Sequence, residues 1–328
     1  MLKYCVCIVG LGSIATKHIK ALLSFDQYKF RFIIVTSRPK ESVSNIPGDS
    51  IFYADIESVF VHKVDFALIT SPSVLHLEQA IIFTKRMIPV FIEKPLSDSL
   101  PIDFEIHRLL KNNPNVLVGY CLNYLESLEK FSEYISESNN IGSIVNVQIN
   151  CGSYLPHWRN DIDYRKSSSA IDGGGVLLEL SHEIEYAERL FGPFTSINCF
   201  CNNSKTLEIK VEDTSAINLI SKNGYLVSIN LNFCSNESFR NCIVYGSDGS
   251  LVWDGIANTV TSKVNNVEKL LYKNSYKNNQ IYISQMKHFL GVALHGEQPR
   301  VTYNDGYNVL NIVELSKKSH ITKRTIKI

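Results

Sequence analysis

A lysine directly after a buried strand is the first residue of this sequence whose setting suggests chemistry. The apolar run at residues 90–92 is followed by Glu93-Lys94-Pro95. A residue at the carboxyl end of a parallel strand faces the crevice in which open α/β sheets bind ligands. Pro95 restricts Lys94 to extended conformations, and Glu93 is placed to pair with the lysine amine or to tune its basicity. The pattern predicts a catalytic Lys94; the alternative is a solvated lysine in a loop.

A glycine-rich turn near the start of the chain is typical of dinucleotide binding. Residues 10–15 read Gly-Leu-Gly-Ser-Ile-Ala, a GxGxxA pattern between an apparent strand and an apparent helix. Gly10 allows a tight turn, Gly12 lets backbone N–H groups approach a pyrophosphate, and Ala15 lets the helix pack close to the strand. An ordinary βα loop is the alternative. The predicted cofactor contacts are Gly10, Gly12, Ser13 and Ile14.

The end of the second strand is expected to select the cofactor. NAD-binding proteins usually carry an acidic residue there for the ribose 2′-hydroxyl, whereas an arginine accommodates the 2′-phosphate of NADP. Residues 35–39 read Val-Thr-Ser-Arg-Pro and hold no acid. Ser37 and Arg38 are suited to donate to a phosphate, the arginine through two N–H groups. NADP(H) is therefore favoured, while NAD(H) stays possible if Arg38 only stacks on the adenine or is solvated.

A dense group of polar and aromatic residues occupies positions 153–165. Aromatic faces pack on the C–H surface of a sugar ring, and arginine, aspartate and histidine side chains recognise its hydroxyls or an attached phosphate. The composition therefore favours a sugar-like substrate. The alternative role of Arg159 and Arg165 is to form surface ion pairs with Asp161 and Asp163. The predicted substrate-binding residues here are Tyr154, His157, Trp158, Arg159, Tyr164 and Arg165.

His182 is the candidate general base of this second half of the chain. It lies on an apparent helix over Val176–Phe191, and Glu179, Glu183 and Glu185 are close to it in sequence. A histidine–carboxylate pair can serve as a general base; the alternative is a histidine hydrogen-bonded within a packed helix interface. The spacing of histidines and carboxylates matches no zinc signature, and no metal site is predicted.

Alternating short strands and helices must position the N-terminal motifs. Apolar runs alternate with amphipathic stretches up to Gly119, which predicts a parallel sheet of βαβ units. After a helix near residues 122–137, the pattern changes to long alternating strands separated by turns such as Asn223-Gly224. The expected fold class is α/β, with a doubly wound, Rossmann-type parallel sheet at residues 1–121. An α+β domain with a mostly antiparallel sheet is expected at residues 122–328.

Motifs spread over nearly the whole chain resemble one oxidoreductase family. In chain order these motifs are Gly10-x-Gly12-x-x-Ala15, Thr70-Ser71-Pro72 with His76, Glu93-Lys94-Pro95, Gly173-Gly174-Gly175 with His182, and Gly246-x-x-Gly249-x-Leu251. Their combination is similar to that of the glucose–fructose oxidoreductase / myo-inositol dehydrogenase (Gfo/Idh/MocA) family.

The resemblance implies a Rossmann domain followed by an α/β domain whose large open sheet often forms an oligomer interface. It also implies hydride transfer between NAD(H) or NADP(H) and a carbon of a sugar, cyclitol or nucleotide sugar. A homodimer or homotetramer formed through the C-terminal sheet is expected on the same ground. Carried over to the matching positions, Lys94 is the catalytic lysine, and Ser71, Pro72 and His76 lie by the cofactor. Glu93 and Lys94 are also counted among the predicted cofactor-binding residues.

Two positions depart from the family pattern. The family often has Gly-Tyr-x-x-Arg-Phe after the last Rossmann strand, whereas Asn123 takes the place of the arginine here. Asn123 is retained as a candidate substrate residue without the arginine's charge. Many members also place an aspartate four residues before the active-site histidine, where this chain has Leu178. Glu179, three residues before His182, is the expected substitute, since residues i and i+3 are neighbours on a helix.

Composition excludes several classes of protein. The 328 residues include 33 Lys and Arg against 32 Asp and Glu, so no overall basic field attracts nucleic acid or an anionic membrane. No apolar run approaches the roughly 20 residues of a membrane helix, and the first ten residues lack the features of a signal peptide. We therefore expect a cytoplasmic protein with a small-molecule substrate and neither a nucleic-acid nor a membrane partner.

These patterns together predict an NAD(P)-dependent oxidoreductase. It would transfer a hydride between a nicotinamide cofactor and a secondary alcohol or ketone of a sugar, cyclitol or nucleotide sugar. Lys94 and His182 are the candidates for carrying the hydroxyl proton, and the sequence leaves that choice open. Two other functions stay open: a nucleotide-sensing regulatory protein without catalysis, and a reductase of a non-sugar carbonyl or imine.

Overall fold

The computed structural model describes residues 2–38, 46–101, 103–137, 141–158, 163–167, 173–275 and 279–328. The chain divides into two compact units, residues 1–121 with 277–307 and residues 122–276 with 308–328. The first unit is therefore discontinuous in sequence. Sequence analysis placed residues 277–307 in the second domain, because a local helical pattern does not show which core a helix joins.

A parallel sheet forms the centre of the first unit. Its strands are β1 (Leu2–Val9), β2 (Tyr28–Val35), β3 (Ile51–Tyr53), β4 (Phe66–Ile69), β5 (Val90–Ile92) and β6 (Val116–Val118). Among the described residues the strand order is β3-β2-β1-β4-β5-β6, which is the order of a Rossmann fold. β1, β2, β4, β5 and β6 end in runs of buried apolar side chains, as strands do when both faces of the sheet are covered.

The last residues of these strands lie side by side. Val9 pairs in register with Val35 on one side and with Ile69 on the other. Ile69 pairs with Ile92, and Ile92 pairs with Val118. The loops that follow these strands therefore leave one edge of the sheet at one level, so that residues distant in sequence come together there.

Helices from both ends of the chain cover this sheet. Its helices are α1 (Ser13–Leu23), α2 (His76–Thr84), α3 (Phe104–Leu110) and α8 (Gln280–His295), and α9 (Tyr303–Thr322) begins in this unit. α8 packs against α1 and shares one apolar core with β1, β2 and β4. The ring of Phe289 in α8 meets the rings of Phe66 and Phe91 edge-on, with centroids 5.6 and 5.5 Å apart. Burial of this apolar stripe stabilises the return of α8 to the first unit.

The second unit is built on a long, mostly antiparallel sheet. Its strands are β7 (Ile144–Gly152), β8 (Phe194–Asn202), β9 (Thr214–Ser221), β10 (Leu226–Asn232), β11 (Phe239–Gly246), β12 (Gly249–Asp254), β13 (Thr259–Val264), β14 (Val267–Lys273) and β15 (Ile326–Lys327). The described strands lie in the order β14-β13-β12-β11-β7-β10-β9-β8-β15. β7 and β10 are parallel. Along β7, Val147 and Ile149 are buried, whereas Gln148 and Asn150 on the other face are partly or fully exposed.

The helices of the second unit are α4 (Glu126–Ser136), α5 (Tyr164–Ser167), α6 (Val176–Glu179), α7 (Ser181–Phe191) and the later part of α9. Of these, α4, α6, α7 and α9 contact strands of the sheet. The prediction of one helix over Val176–Phe191 is wrong, because Leu180 leaves the helical conformation, with φ −98° and ψ 28°, and separates α6 from α7. A one-residue break keeps Leu180 buried and barely disturbs the hydrophobic pattern, so the sequence does not show it. No helix among the described residues is both long enough and apolar enough to cross a bilayer.

Candidate functional site

The strand-end row of the first unit gathers most of the predicted cofactor residues. Gly10 directly follows Val9 of β1, and Glu93 directly follows Ile92 of β5. Ser71 comes two residues after Ile69 of β4. The sheet order reverses between β1 and β4, and this is the switch point at which open α/β sheets bind ligands. Lys94 follows Glu93 at this edge and is half-buried.

Gly10 and Gly12 of the N-terminal turn have different roles. Gly10 has φ +85°, and a Cβ there would lie 2.5 Å from the backbone nitrogen of Ser71, so glycine is required for the turn itself. Gly12 is the N-cap of α1 with an extended backbone, and a Cβ there would meet no heavy atom within 4 Å. Gly12 therefore borders open space at a helix N-terminus, where free N–H groups and the helix dipole favour an anion. This arrangement fits the pyrophosphate of a dinucleotide, with Ser13 and Ile14 as the first helical residues.

Each of the two carboxylate oxygens of Glu93 makes a polar contact. Its Oε1 lies 2.6 Å from Nε2 of His18 in α1, and its Oε2 accepts the backbone N–H of Lys94 at 3.0 Å. His18 is fully buried and Glu93 is 7% exposed. Gly119 makes room for this carboxyl group, since a Cβ at Gly119 would lie 3.2 Å from Cδ of Glu93. The Glu93 side chain thus holds the backbone of the predicted catalytic lysine.

His76 joins two loops of this edge from within the protein. Its Nδ1 lies 2.9 Å from the carbonyl oxygen of Pro95, and its Nε2 lies 2.8 Å from the carbonyl oxygen of Ser71. The side chain is 1% exposed, and burial lowers the pKa of His76, outweighing the two carbonyl contacts, which act in the opposite direction. The hydroxyl of Ser71 donates to Gln79. His76 therefore orders the loops after β4 and β5, whereas Pro72 between them is exposed.

Acidification should destabilise the first unit through His76. The folded state lowers the pKa of this histidine below its ordinary 6.5, so the unfolded chain binds a proton more readily as pH falls through that value. We expect the free energy of unfolding to decrease between about pH 7 and about pH 5. His288 contributes in the same direction, because burial also lowers its pKa.

Denaturant titrations over this pH range would measure the effect. His76→Gln should be less stable than the parent at neutral pH but lose less stability on acidification, and His288→Gln serves as the matched comparison. An unchanged pH slope in His76→Gln would contradict the prediction.

The second strand ends in an exposed pair of side chains. Ser37 and Arg38 are both exposed, and the backbone N–H of Arg38 donates to Oγ1 of Thr36 at 3.1 Å. Thr36 N in turn donates to the carbonyl oxygen of Tyr53 at 3.0 Å, which ties the end of β2 to β3. The described part of the loop ends at Arg38, and Pro39 lies outside the described residues.

In the second unit, an aromatic segment follows β7. The N–H groups of Ser153 and Leu155 donate to the carbonyl oxygens of Asn232 and Phe233, at 3.2 and 2.9 Å. The indole N–H of Trp158 donates to Oγ of Ser153 at 2.7 Å. The backbone of this segment is thereby fixed to the end of β10, while the Trp158 side chain remains accessible at its surface.

The aromatic side chains of this segment pack on one another at the surface. The Trp158 ring stands edge-on to Phe233, with centroids 5.3 Å apart, and the rings of Tyr154 and His157 are 4.9 Å apart. Tyr154 is half-buried, while His157 and Trp158 are exposed. The structure therefore brings three of the predicted substrate residues together.

The arginines predicted to bind substrate differ in what the structure shows. Arg165 forms ion pairs with Asp163 and Glu208, at 2.8 and 2.7 Å. Tyr164 lies beside it, and its hydroxyl is 3.5 Å from the backbone nitrogen of Glu208. The alternative reading of Arg165 as an ion-paired surface residue thus describes its contacts in this structure. Arg159 lies outside the described residues.

Glu183 and Glu185, which follow His182 in the sequence, contact two different residues. Glu183 is fully buried and pairs with Arg240 at 2.7 Å. Glu185 is buried and accepts from the side-chain amide of Asn123 at 2.9 Å. These two glutamates are therefore engaged in the interior of the second unit, away from the role of partner to a general base.

His182 and Glu179 are placed on separate helices. Glu179 is the last residue of α6 and His182 is the second residue of α7, with Leu180 between them outside helical geometry. Both side chains are half-buried. The i, i+3 spacing of one continuous helix, on which the expectation for Glu179 rested, does not apply to this pair.

Comparison with known proteins identifies the chain. The family model described as "Oxidoreductase family, NAD-binding Rossmann fold" matches residues 5–120, and the model described as "GFO/IDH/MocA C-terminal domain" matches residues 133–252. The chain belongs to the GFO/IDH/MocA oxidoreductase family. The resemblance, the fold class and the enzyme class predicted from the sequence are thereby confirmed, and so is an NAD-binding type of Rossmann domain.

Relatives of this GFO/IDH/MocA protein include several sugar dehydrogenases. It is 24% identical over 335 residues to myo-inositol 2-dehydrogenase of Thermotoga maritima, covering 98% of this chain and 97% of the relative. A levoglucosan dehydrogenase solved with NADH has a TM-score of 0.87 at 16% identity, over 99% of both chains. The WlbA dehydrogenase of Bordetella pertussis, solved with NADH and UDP-GlcNAcA, has a TM-score of 0.81 at 18% identity, over 100% of this chain and 98% of the other. At these identities the solved structures establish a shared fold.

The sequence patterns did not indicate two residues that make buried polar contacts in this family member, Glu212 and His18. Glu212 accepts from the N–H of Leu177 at 3.4 Å, next to Gly175, whose φ is +117°. Burial raises the pKa of Glu212. His18 contacts Glu93, as described above. Glu212 has no local signal, whereas His18 has a weak one, a polar residue on the buried face of an amphipathic helix.

Proposed function

We propose that the protein is a dehydrogenase that transfers a hydride between a nicotinamide dinucleotide and a secondary alcohol or ketone of a sugar, cyclitol or nucleotide sugar. The observation that carries the proposal is the in-register row of strand ends, which puts the Gly10–Gly12 turn and Lys94 at one edge of the sheet. The sugar dehydrogenases among its relatives support the substrate class.

Lys94 is proposed as the proton carrier. A nicotinamide dinucleotide held at the Gly10–Gly12 turn would supply the hydride acceptor for oxidation and the hydride donor for reduction. In oxidation, the neutral amine of Lys94 takes the hydroxyl proton while the C–H bond of the same carbon breaks and both its electrons leave with the hydride. In reduction, the ammonium returns that proton to the carbonyl oxygen. Glu93 and His76 hold the loop that carries Lys94, so the amine starts from a fixed backbone.

His182 and Glu179 are proposed as the second catalytic pair. His182 either assists Lys94 by donating a hydrogen bond to the substrate oxygen or takes the proton itself, and Glu179 supports it from the end of α6. The proposal rests on the family resemblance together with the half-buried position of both side chains.

The residues after β7 are proposed to recognise the substrate. Exposed Trp158 and half-buried Tyr154 offer aromatic faces to a sugar ring, and the backbone beneath them is fixed to β10. His157, Tyr164 and Arg165 add polar groups. Asn123 is also proposed as a substrate residue; in this structure its side-chain amide donates to Glu185 in the interior of the second unit. Arg159 completes the proposed set.

The reaction itself is tested by turnover. The purified protein would be incubated with each oxidised cofactor and a panel of cyclitols, aldoses and nucleotide sugars, and formation of the reduced nicotinamide would be followed by its absorbance. Oxidation of members of the panel supports the proposal, with the best substrate defining the class. Binding of cofactor without turnover of any alcohol or ketone would instead support a nucleotide-sensing role.

NADP(H) is the proposed preferred cofactor, because Ser37 and Arg38 are exposed at the end of β2 and no acid stands at positions 35–38. A thermal-shift titration with NADPH, NADH, NADP and NAD should show tighter binding of the phosphorylated forms. Arg38→Ala should weaken NADPH binding by roughly tenfold or more and leave NADH binding nearly unchanged.

The exposed Arg31, on the same strand, provides the control substitution Arg31→Ala. NADH is the bound form named for the levoglucosan and WlbA dehydrogenases. Tighter NADH than NADPH binding in the parent would overturn the preference but keep the dehydrogenase.

A homodimer or homotetramer through the sheet of the second unit is also proposed. Phe200, Ile220, Leu226 and Tyr245 lie on the sheet face of Asn150 and are 37–55% exposed. On this face Asn230, Asn150 and Asn241 form a row of hydrogen bonds, at 3.1 and 3.0 Å. Across the strands β8, β9, β10, β7 and β11 this face carries uncharged polar and apolar groups, which suits contact with a second copy of itself. Light scattering after size exclusion should give an oligomer, and Tyr245→Lys should shift it toward the monomer; a monomeric parent would contradict this.

A further inference from the structure

We propose that His18 is a positioning residue for the reaction: from helix α1 it holds the Glu93 carboxylate, and through it the backbone of Lys94. The inference rests on the proposed function only in treating Lys94 as catalytic. The contact between His18 and Glu93 joins residues 75 apart in sequence, and neither the family description nor the relatives assign His18 a role.

The geometry forms an unbroken chain from α1 to Lys94. Nε2 of His18 lies 2.6 Å from Oε1 of Glu93, and Oε2 of the same carboxylate accepts the N–H of Lys94 at 3.0 Å. Both side chains are shielded from water, with exposures of 0% for His18 and 9% for Glu93. Hydrogen bonds to a charged group are strong in such surroundings, and water cannot readily replace a missing partner.

The second ring nitrogen of His18, Nδ1, is in an environment that is unfavourable for a polar atom. Nδ1 of His18 is buried and makes no hydrogen bond with any of the described residues. The ring is otherwise surrounded by aromatic edges, those of Phe91 and Tyr282, with centroids 4.9 and 5.8 Å away. An apolar side chain would suit this environment without stranding a polar atom. Among the residues that the structure describes, the polar contact made by the His18 ring is with Oε1 of Glu93.

The backbone around Lys94 is held by the sheet on one side and by the Glu93 carboxylate. Glu93 N belongs to the sheet, since it donates to the carbonyl oxygen of Ile69 at 2.9 Å. Pro95 follows Lys94 and has no N–H. The N–H of Lys94 is satisfied by the side chain of its neighbour Glu93, so the orientation of Lys94 depends on where that carboxylate is held. His18 also lies on the helix whose N-terminus carries Gly12, so one helix orders both the pyrophosphate turn and the lysine.

Hydrogen–deuterium exchange at the Lys94 amide tests the inference without any substrate. His18→Gln keeps an amide N–H at the reach of Nε2, whereas His18→Asn has the same chemistry but is one methylene shorter. In His18→Asn we expect exchange at Lys94 to be faster by about tenfold, with exchange in β1 unchanged. His18→Gln should stay near the parent, and Glu93→Gln should resemble His18→Asn.

Turnover gives the second readout. His18→Asn should lower kcat by about tenfold or more while the Kd of the nicotinamide cofactor changes less than about twofold. In the Glu93→Gln background the same substitution should have almost no further effect, because its influence passes through that carboxylate. His18→Gln should restore most of the lost kcat.

The outcomes separate the inference from the function. Unchanged exchange at Lys94 in folded His18→Asn, or effects of His18→Asn and Glu93→Gln that add in full, would overturn the role of His18. A parallel loss of cofactor binding would make His18 a determinant of the whole α1 turn instead, which also overturns it. If the parent turns over no substrate, the proposed function fails, and the exchange experiment still decides whether His18 holds Lys94.

Discussion

Replacing Lys94 with alanine should lower kcat by about a hundred- to ten-thousand-fold, the range that a single acid–base group usually supplies. Cofactor affinity should stay within about threefold of the parent, because the proposed pyrophosphate site is formed by the N–H groups of the Gly10–Gly12 turn and not by the lysine amine. Stability should change little, since Lys94 is only half-buried. Steady-state kinetics and cofactor titration on the same preparation would measure both quantities.

Lys85→Ala is the matched control for this experiment. Lys85 belongs to the same unit and forms an exposed ion pair with Glu105 at 3.3 Å, so its loss should leave kcat unchanged. His182→Gln, made alongside, decides which group carries the proton. If Lys94→Ala retains turnover and His182→Gln abolishes it, the histidine is the base and the lysine has a lesser role. Loss of cofactor binding in Lys94→Ala would make the lysine a cofactor ligand.

Gly12→Asp should abolish cofactor binding while leaving the free protein at least as stable. Gly12 occupies the N-cap of α1 with φ −99° and ψ −174°, a conformation that aspartate adopts readily as an N-cap. A Cβ there meets no heavy atom within 4 Å. We expect the free energy of unfolding to rise by roughly 0.3 kcal/mol. The carboxylate would stand where the pyrophosphate is expected, so the Kd of the cofactor should rise by about a hundredfold or more.

Gly10→Ala provides the contrast from the same turn. With φ +85° and a Cβ 2.5 Å from the nitrogen of Ser71, this variant should lose about 2 kcal/mol or more of stability. Denaturation curves and cofactor titrations of the two variants separate the roles of the glycines. Normal cofactor affinity in Gly12→Asp would remove the pyrophosphate from this turn and, with it, the proposed placement of the nicotinamide.

Local patterns were enough to predict the edge of the first sheet. Each of the strands that end at Val9, Ile69 and Ile92 is a short apolar run, and each is followed by a loop with its own motif. Because parallel strands connected by helices place their carboxyl ends together, the convergence of Gly10, Ser71 and Lys94 follows from the order of the elements. The change to alternating strands after Gly119 likewise predicted the second sheet.

Contacts between distant residues were beyond those patterns. His76 belongs to a motif expected beside the cofactor, and the structure shows its ring buried between the carbonyl oxygens of Ser71 and Pro95. Glu183 and Glu185 have sequence positions that suit a partner of His182, but they pair with Arg240 and Asn123. A glutamate's neighbours in sequence do not determine its neighbours in space, because helix rotation and packing decide which face meets the core.

The sequence by itself determined the cofactor turn, the catalytic-lysine candidate and the two kinds of sheet, because these depend on residue types at short spacings. Only the tertiary structure decided that α8 joins the first unit, that α6 and α7 part at Leu180, and that His18 reaches Glu93. Each of these depends on which apolar surfaces are buried together. Which apolar surfaces are buried together depends on the whole chain, because folding buries apolar area from all of its elements at once. A local stretch of sequence therefore does not determine it.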